Sequence, residues 1–572
     1  MYLREARRVN KDGTVVSYLQ LAHNERHPRT GSPVAKVIHS FGRADKVDRA
    51  ALARLVASIS RFLDPGTATA AAVAGEVEVI DSRRMGAAWV LGRLWDRLEI
   101  GTAIRRVAAG RRLDGDAAER VIFALVVQRA CEPGSKLAAT RWVAERVFIE
   151  GCGRFSEDAA YAAMDFLLAA LTEVAAEIFS SVAHLLNLDV DIVFVDTTST
   201  YWEMEVAGDL AEAADRDGAD EDGDKLPEEE GDRRLGHSKD HRDDLPQVVI
   251  AMAVTRDGIP VRCWTFPGNE QDQKIIRTVK DDLGSWNLRR LVWVADRGFA
   301  SAANRAYLSR GGGHYIHAEK LRGTNAEAAA ALARQGRYHQ VAGNLRVKEA
   351  WVPAKDAGER AERFAVCHNP EQAERDRAVR DRLIAHLAGL IDGSDAWSPR
   401  QRDELVGSLT DKPGLRRLLR RTKNGLLRVD RGAAAREAHL DGKWLLRTND
   451  HTLSPEDLAA AYKQLIAVER GWRDMKGALR LRPVFHHRED RIRAHVQLCW
   501  LALLLIRVAE NAAGETWRNL HHELDRMHLV TLATRDGRVA QRSAATPGQQ
   551  AIFGALDLRE PPKFFDFAPS GT

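Results

Sequence analysis

Two short apolar runs, each stopped by an aspartate, constrain the fold of this chain more than any other feature. Val190 to Val195 runs into Asp196, and Leu291 to Ala295 runs into Asp296. Between and after them, Val248 to Val254 and Pro260 to Phe266 flank Asp257-Gly258, a hairpin signal. A helical segment at about 271–283 leads to the second run, and another at about 300–310 leads to Tyr315-Ile316-His317. The order strand, strand, strand, helix, strand, helix, strand predicts a mixed α/β sheet. A lone Asp ending a strand is ordinarily a turn or cap residue. Two of them, at the same end of strands in one sheet, can converge on its carboxyl edge, and such oxygen ligands suit Mg²⁺.

A third acidic residue comes from the far end of the chain. The pattern predicts a long amphipathic helix from Pro455, with Ser454 as its N-cap. Within it Tyr462, Glu469 and Lys476 recur every seven residues, two helical turns, and so share one stripe. Trp472 and Arg473 sit three and four positions after Glu469. An exposed, salt-bridged helix surface is the plain alternative for such a glutamate. Next comes the densest basic stretch in the chain: Arg480, Arg482, His486, His487, Arg488, Arg491 and Arg493.

The rest divides into recognisable pieces. Residues 1–75 read as a β-meander, turned at Lys11-Asp12-Gly13, plus a helix with Leu52, Leu55, Val56, Ile59 and Leu63 at helical spacing. Residues 76–189 read as a helical, candidate DNA-binding domain. Two of its helices, about 117–131 and 135–148, are joined by Glu132-Pro133-Gly134, which fits either a helix-turn-helix or ordinary helix packing. The sheet just described occupies 190–317, interrupted at 205–235 by an acidic, Gly-containing loop whose glycine falls out of register for a calcium loop. Residues 318–440 read as an insertion, and 441–512 as the last part of the core, entered by a hairpin at Leu440-Asp441-Gly442-Lys443. Residues 513–572 form a tail region. In the insertion, Arg416, Arg417, Arg420 and Arg421 recur at i and i+4, so that a helix would present them on one face, either to phosphates or merely to solvent.

These motifs resemble the DDE transposases of bacterial insertion sequences, in the group marked by the signature Y-x2-R-x3-E-x6-K. Tyr462, Glu469 and Lys476 match it, and Leu465 stands where the signature has Arg. VDIVFVDTTSTYWE and LVWVADRGFAS look like the group's two aspartate motifs, and GHSKDHRDDLPQ and PPKFFDF look like segments of a long-chain subgroup. The resemblance implies a ribonuclease-H-like core split by an insertion between Asp296 and Glu469. It implies Asp196, Asp296 and Glu469 as catalytic residues and ligands of two Mg²⁺ ions, with Mn²⁺ as a substitute. It implies cleavage at the ends of an insertion sequence and strand transfer into target DNA, by a homodimer bridging two ends. It also implies phosphate contacts from Tyr462 and Lys476. Leu465 cannot donate to a phosphate, which moves that contact to a neighbour such as Arg470 or Arg473. Lys239, His241 and Arg242 lie where they would touch the DNA backbone or simply lead into a strand.

Several classes are disfavoured. The five cysteines form no C-x-x-C pair, which suits a reducing cytoplasm, with nucleoid association following from DNA as partner. The most apolar run, Leu498 to Ile506, is under half the roughly 20 residues that span a bilayer, so no membrane partner is expected. No phosphate-binding G-x-x-x-x-G-K-[ST] loop occurs, and His522-Glu523-Leu524-Asp525-Arg526 lacks the second histidine of a zinc motif. A net charge of +4 argues only weakly for a polyanion. Two alternatives to a full transposase stay open: a nuclease that cleaves without joining, and a transposase-derived DNA-binding protein.

Overall fold

The structure, a computed structural model, describes residues 1–27, 31–63, 77–111, 113–185, 192–201, 232–236, 238–240, 242–284, 291–322, 325–353, 361–482, 488–534 and 537–569. Residues 205–231 of the acidic loop, His241, His486 and His487 lie outside them. Two compact units emerge. One joins Met1–Arg84 to Arg526–Thr546 and Glu560–Thr572; the other comprises Met85–Asp525 and Pro547–Arg559.

The first unit opens with the expected meander, β1 (Tyr2–Val9), β2 (Val15–Arg26) and β3 (Pro33–Arg43), antiparallel in that order. Gly13 takes φ +81 at the first turn, which is why Gly is needed there. The helix Arg49–Leu63 forms as its periodicity predicts, yet Leu55, Val56, Ile59 and Leu63 are exposed on it. Strand β4 (Glu78–Arg84) ends this stretch.

The second unit begins with six helices between Gly86 and Leu185. The helix Gly115–Cys131 is buried from Val121 to Ala130, and its successor, Lys136–Glu145, starts at an N-cap in which Ser135 accepts from the Ala138 N–H. Lys136 is itself buried, against His495. Then come β5 (Ile192–Tyr201), β6 (Gln247–Thr255), β7 (Pro260–Pro267), β8 (Val292–Ala295) and β9 (His314–Glu319). They lie in the order β9-β8-β5-β6-β7. β5, β6 and β7 are antiparallel neighbours, while β8 and β9 run parallel to β5. This is the expected mixed α/β, ribonuclease-H-like sheet. Helices Asp272–Gly284 and Ala302–Leu308 cover one face, where Val193, Val195, Ile275, Ile276, Trp293 and Leu308 pack together.

The insertion does not stand apart from this sheet. β10 (His339–Ala342), β11 (Leu345–Val352) and β12 (Glu362–His368) extend it through β15 (Lys443–Thr448), which pairs with β9, to nine strands. Leu440 to Lys443 joins the helix Arg431–Ala438 to β15 and is not the hairpin expected from Asp441-Gly442. Gly442 takes φ +63, and a Cβ there would lie 2.3 Å from the Asn369 carbonyl, so the turn requires Gly for contact as well as conformation. The helical arginine face expected at 416–421 is not formed either. The helix Pro413–Arg416 stops, and Leu419–Arg421 becomes β13, paired with β14 (Leu427–Val429) about a turn where Gly425 has φ +76.

The long helix expected from Pro455 is broken in two. Ser454 caps Pro455–Lys463, accepting from the Asp457 N–H at 3.0 Å, but Gln464-Leu465 separates it from Ile466–Lys476. At the break, the Leu465 N–H bonds to Tyr462 O and the Val468 N–H to Leu465 O, three-residue bonds that tighten the turn. The helix Glu489–Ala513 is apolar and long enough to cross a bilayer by composition, and 94% of its most apolar window is buried inside the protein. It is the core helix anticipated from Leu498 to Ile506. The first unit closes with β16 (His528–Thr534), β17 (Gly537–Arg542) and β18 (Phe564–Pro569), which form with β4 a sheet of order β18-β17-β16-β4.

Candidate active site

Asp196 does not end its strand. β5 runs on through Thr197-Thr198-Ser199-Thr200 to Tyr201, because these residues pair with β6 and are buried. Asp296 does follow the last residue of β8. The parallel ladder from Ile192↔Val292 to Val195↔Ala295 brings the next pair, Asp196 and Asp296, level on neighbouring strands, roughly 4.8 Å apart along the hydrogen-bonding direction. Burial raises the Asp196 carboxyl to about 6, the Lys239 ammonium opposes that rise, and the charges of Asp296 and Asp272 add to it.

Lys239 is built into the site. Its Nζ donates to the Thr197 carbonyl at 2.8 Å and to the Thr197 hydroxyl, and lies 3.5 Å from Asp272 Oδ2. The Thr197 hydroxyl in turn donates to Asp272 Oδ1 at 2.6 Å. Asp272, in the first turn of its helix, was assigned no role from sequence. An acidic residue there has a sufficient local reason, the positive end of the helix dipole, so nothing distinguished it.

The Glu469 helix lies over the Asp196 side of the sheet. Met252 pairs with Asp196 across the β5–β6 ladder, and its Cε would come within 2.7 Å of a Cβ on Gly471. Val468, Gly471, Trp472 and Met475 make the helix's buried stripe, and Glu469 stands exposed beside it. Tyr462 connects this element to the aspartates, because its hydroxyl donates to Asp296 Oδ1 at 3.1 Å. Burial first, then Asp296, and also Glu469, push the Tyr462 hydroxyl well above its ordinary range. The charge of Glu469 therefore reaches the group that touches Asp296.

Among the described residues no three His, Cys, Asp or Glu side chains are gathered closely enough to hold a metal ion. The donor set nonetheless fits a divalent cation. A largely buried carboxylate at Asp196, level with Asp296 and repelled by two neighbouring acids, is the electrostatic arrangement that a hard cation relieves.

The remaining candidates separate. Lys476 Nζ donates to both oxygens of Asp240, at 2.9 and 3.0 Å. Leu465, in the signature's Arg position, is buried. Arg473 is exposed and borders a cavity of about 770 Å³ with Arg470, Arg507 and Trp517 rather than joining Lys476. Arg416 donates to the Val406 carbonyl, Arg417 lies 3.5 Å from Glu437, Arg421 pairs with Asp403 at 2.6 Å, and Arg420 is exposed. These four arginines do not converge. Arg242 is engaged with Asp244.

Comparison with known proteins gives the family of the chain. The family model described as a transposase DDE domain matches residues 219–505, just over half of the chain, beginning after Asp196. The model described as the N-terminal domain of IS1634 family transposases matches residues 3–71. No curated protein matches. Among solved structures, a piggyBac transposase synaptic complex with hairpin DNA is similar at 9% identity and a TM-score of 0.33, over 77% of this chain and 80% of that one, a likeness too low to bear on the site. With a DDE domain matching just over half of the chain and an IS1634-type N-terminal domain ahead of it, the chain belongs to the DDE transposases of bacterial insertion sequences.

Proposed function

We propose that this transposase binds the ends of its insertion sequence, cleaves the DNA there and joins the freed 3′ ends to target DNA, with Asp196, Asp296 and Glu469 as its catalytic carboxylates. The observation that carries this reading is the level placement of Asp196 and Asp296 on parallel neighbours, with Tyr462 linking Asp296 to the Glu469 element. Asp196 and Asp296, completed by Glu469, are the residues that would hold two Mg²⁺ ions, or Mn²⁺ in their place. When bound, such ions lower the pKa of the attacking water or 3′-hydroxyl and stabilise the leaving oxygen.

The chain's own groups do the rest. Lys239, tethered by Thr197 and Asp272, offsets part of the negative charge around Asp196 and holds that edge together before DNA arrives. Tyr462, its proton held toward Asp296, orients that carboxylate. Tyr462, Lys239 and Lys476 are the DNA contacts of this reading, and a homodimer pairs the two ends.

The test uses duplexes taken from the DNA flanking the gene. Asp196→Ala, Asp296→Ala and Glu469→Ala are each expected to lower Mg²⁺-dependent 3′-end cleavage by at least about a thousandfold, which is about 4 kcal/mol of barrier, with end binding nearly intact. Wild-type cleavage by any one of them removes that residue from the triad. Cleavage by the unaltered protein without joining of the ends would leave a nuclease.

A further inference from the structure

The signature position occupied by Leu465 leaves Lys476 without its usual basic companion in the sequence, and the fold supplies one from another segment. Arg482 lies beyond the end of the Glu469 helix, yet its Nη1 reaches Asp240 Oδ2 at 2.5 Å. Lys476 holds the same carboxylate through both oxygens. Two cations thus share one anion in a largely sequestered place: the side chains of Lys476 and Asp240 are 12% and 13% exposed, and that of Arg482 is 30% exposed. The Arg482 guanidinium also lies 5.6 Å from the centroid of the Tyr201 ring, at the end of β5. Neither Arg470 nor Arg473, the neighbours that the sequence offers for this role, is at Asp240; both border the separate cavity near Trp517.

A carboxylate gripped by a lysine and an arginine has the charge and the acceptor geometry of a bound phosphodiester. We propose that Lys476 and Arg482 form one phosphate-holding pair for the DNA backbone, and that Asp240 fills it until a DNA phosphate displaces it. The inference rests on the transposase reading of the site and adds to it a residue, Arg482, and an internal competitor, Asp240. Its location places it beside the reacting carboxylates and not on them. Lys239, the neighbour of Asp240, bonds through its N–H to the Ser199 hydroxyl at 2.9 Å. Ser199 is roughly 10 Å further along β5 than Asp196, at about 3.3 Å of rise per residue. The phosphate held is therefore one that flanks the cleaved position.

The alternative is that Asp240, Lys476 and Arg482 are a permanent brace tying the Asp240 segment to the helix. The two differ in the sign of one effect. A carboxylate that competes with DNA weakens binding, so Asp240→Asn should bind DNA several-fold more tightly. Loss of a permanent brace should leave binding unchanged or weaken it.

The experiment measures binding of a fluorescein-labelled duplex from the DNA beside the gene, without divalent metal, over a salt series, with thermal melts confirming that each variant is folded. Arg482→Ala and Lys476→Ala should each weaken binding roughly five- to tenfold near 150 mM salt and lower the salt slope by about one. Arg482→Lys should recover part of the loss. A duplex with a neutral methylphosphonate at the flanking position should bind the unaltered protein more weakly and the Arg482→Ala protein no more weakly than the natural duplex. Unchanged affinity and slope in Arg482→Ala, or unchanged or weaker binding by folded Asp240→Asn, overturns the inference while leaving the transposase reading in place. Failure of the unaltered protein to bind the duplex in a salt-dependent way would instead remove the reading on which both rest.

Discussion

Two cationic sets are arranged in opposite ways along the chain and in space. Arg416, Arg417, Arg420 and Arg421 sit within six consecutive residues, while Lys239 comes from a segment far along the chain from the one that carries Lys476 and Arg482. In the fold the compact cluster disperses over the end of a short helix and a hairpin strand, and each of its paired arginines has a separate partner. The scattered set gathers instead around Asp240, Asp272 and the Asp196 edge of the sheet. Charge density along a chain reports where side chains start, and convergence depends on which backbone they start from. Phosphate binding needs convergence.

Four experiments test that contrast. The largest effect is expected at Asp272. Asp272→Asn leaves Lys239 without its carboxylate and weakens the Thr197 tie. Cleavage should fall by roughly 10- to 100-fold, about 1.4–2.7 kcal/mol of barrier, with much smaller change in DNA binding. Unaltered cleavage would show that Lys239 is positioned without Asp272.

Asp196→Asn tests the electrostatic strain of the metal-free site. The carboxyl titrates near 6 in the fold and near 3.8 when free, so its charge costs stability increasingly as pH rises through that window. In EDTA the Asn variant should therefore be more stable than the unaltered protein above pH 6, on the order of 1–3 kcal/mol. The gain should vanish below about pH 4, and saturating Mg²⁺ should remove it at neutral pH. A variant no more stable at pH 8 than at pH 4, relative to the parent, would contradict the assignment of a desolvated, repelled carboxylate.

Next comes Tyr462→Phe, which deletes the hydrogen bond to Asp296 and keeps the ring. End cleavage should drop about tenfold, and the melting temperature should change little because one partly buried hydrogen bond is worth about 1 kcal/mol. A drop in stability without loss of cleavage would make Tyr462 a packing residue. The smallest effect belongs to the compact arginines. Replacing Arg416, Arg417, Arg420 and Arg421 together by Ala should change DNA affinity by no more than about twofold and leave the salt slope alone, because these side chains do not converge on one phosphate site. A slope reduced by three or four charges would place that hairpin on DNA and erase the contrast drawn above.

Much of the core was legible beforehand because its signals are local. The alternation of apolar runs and breakers around Asp257-Gly258 and Leu291 to Ala295 marks the strands that pair as β5 to β9. Ser454 caps its helix, and Leu498 to Ile506 lies in a buried helix, as side-chain chemistry alone requires. Local signals misled where a partner elsewhere outweighed them. The seven-residue spacing of Tyr462, Glu469 and Lys476 suggests one straight helix, but burial of Leu465 and a tightened turn split it. Asp441-Gly442 reads as a hairpin, but its flanking segments are a helix and a strand.

The residues proposed to carry the chemistry stand out in the chain itself: one aspartate within an apolar strand, another directly after a second strand, and a glutamate flanked by Tyr and Lys. Hydrophobic periodicity, which acts over a few residues, marks the strands, and the resemblance to the signature marks the glutamate. Only the tertiary structure decided their company. The register of β5 on β8 sets Asp196 beside Asp296, and the turn after residue 237 brings Lys239 to Asp272 and Asp240 to Lys476 and Arg482. Electrostatic coupling depends on distance through space, and distance along the chain carries almost no information about it.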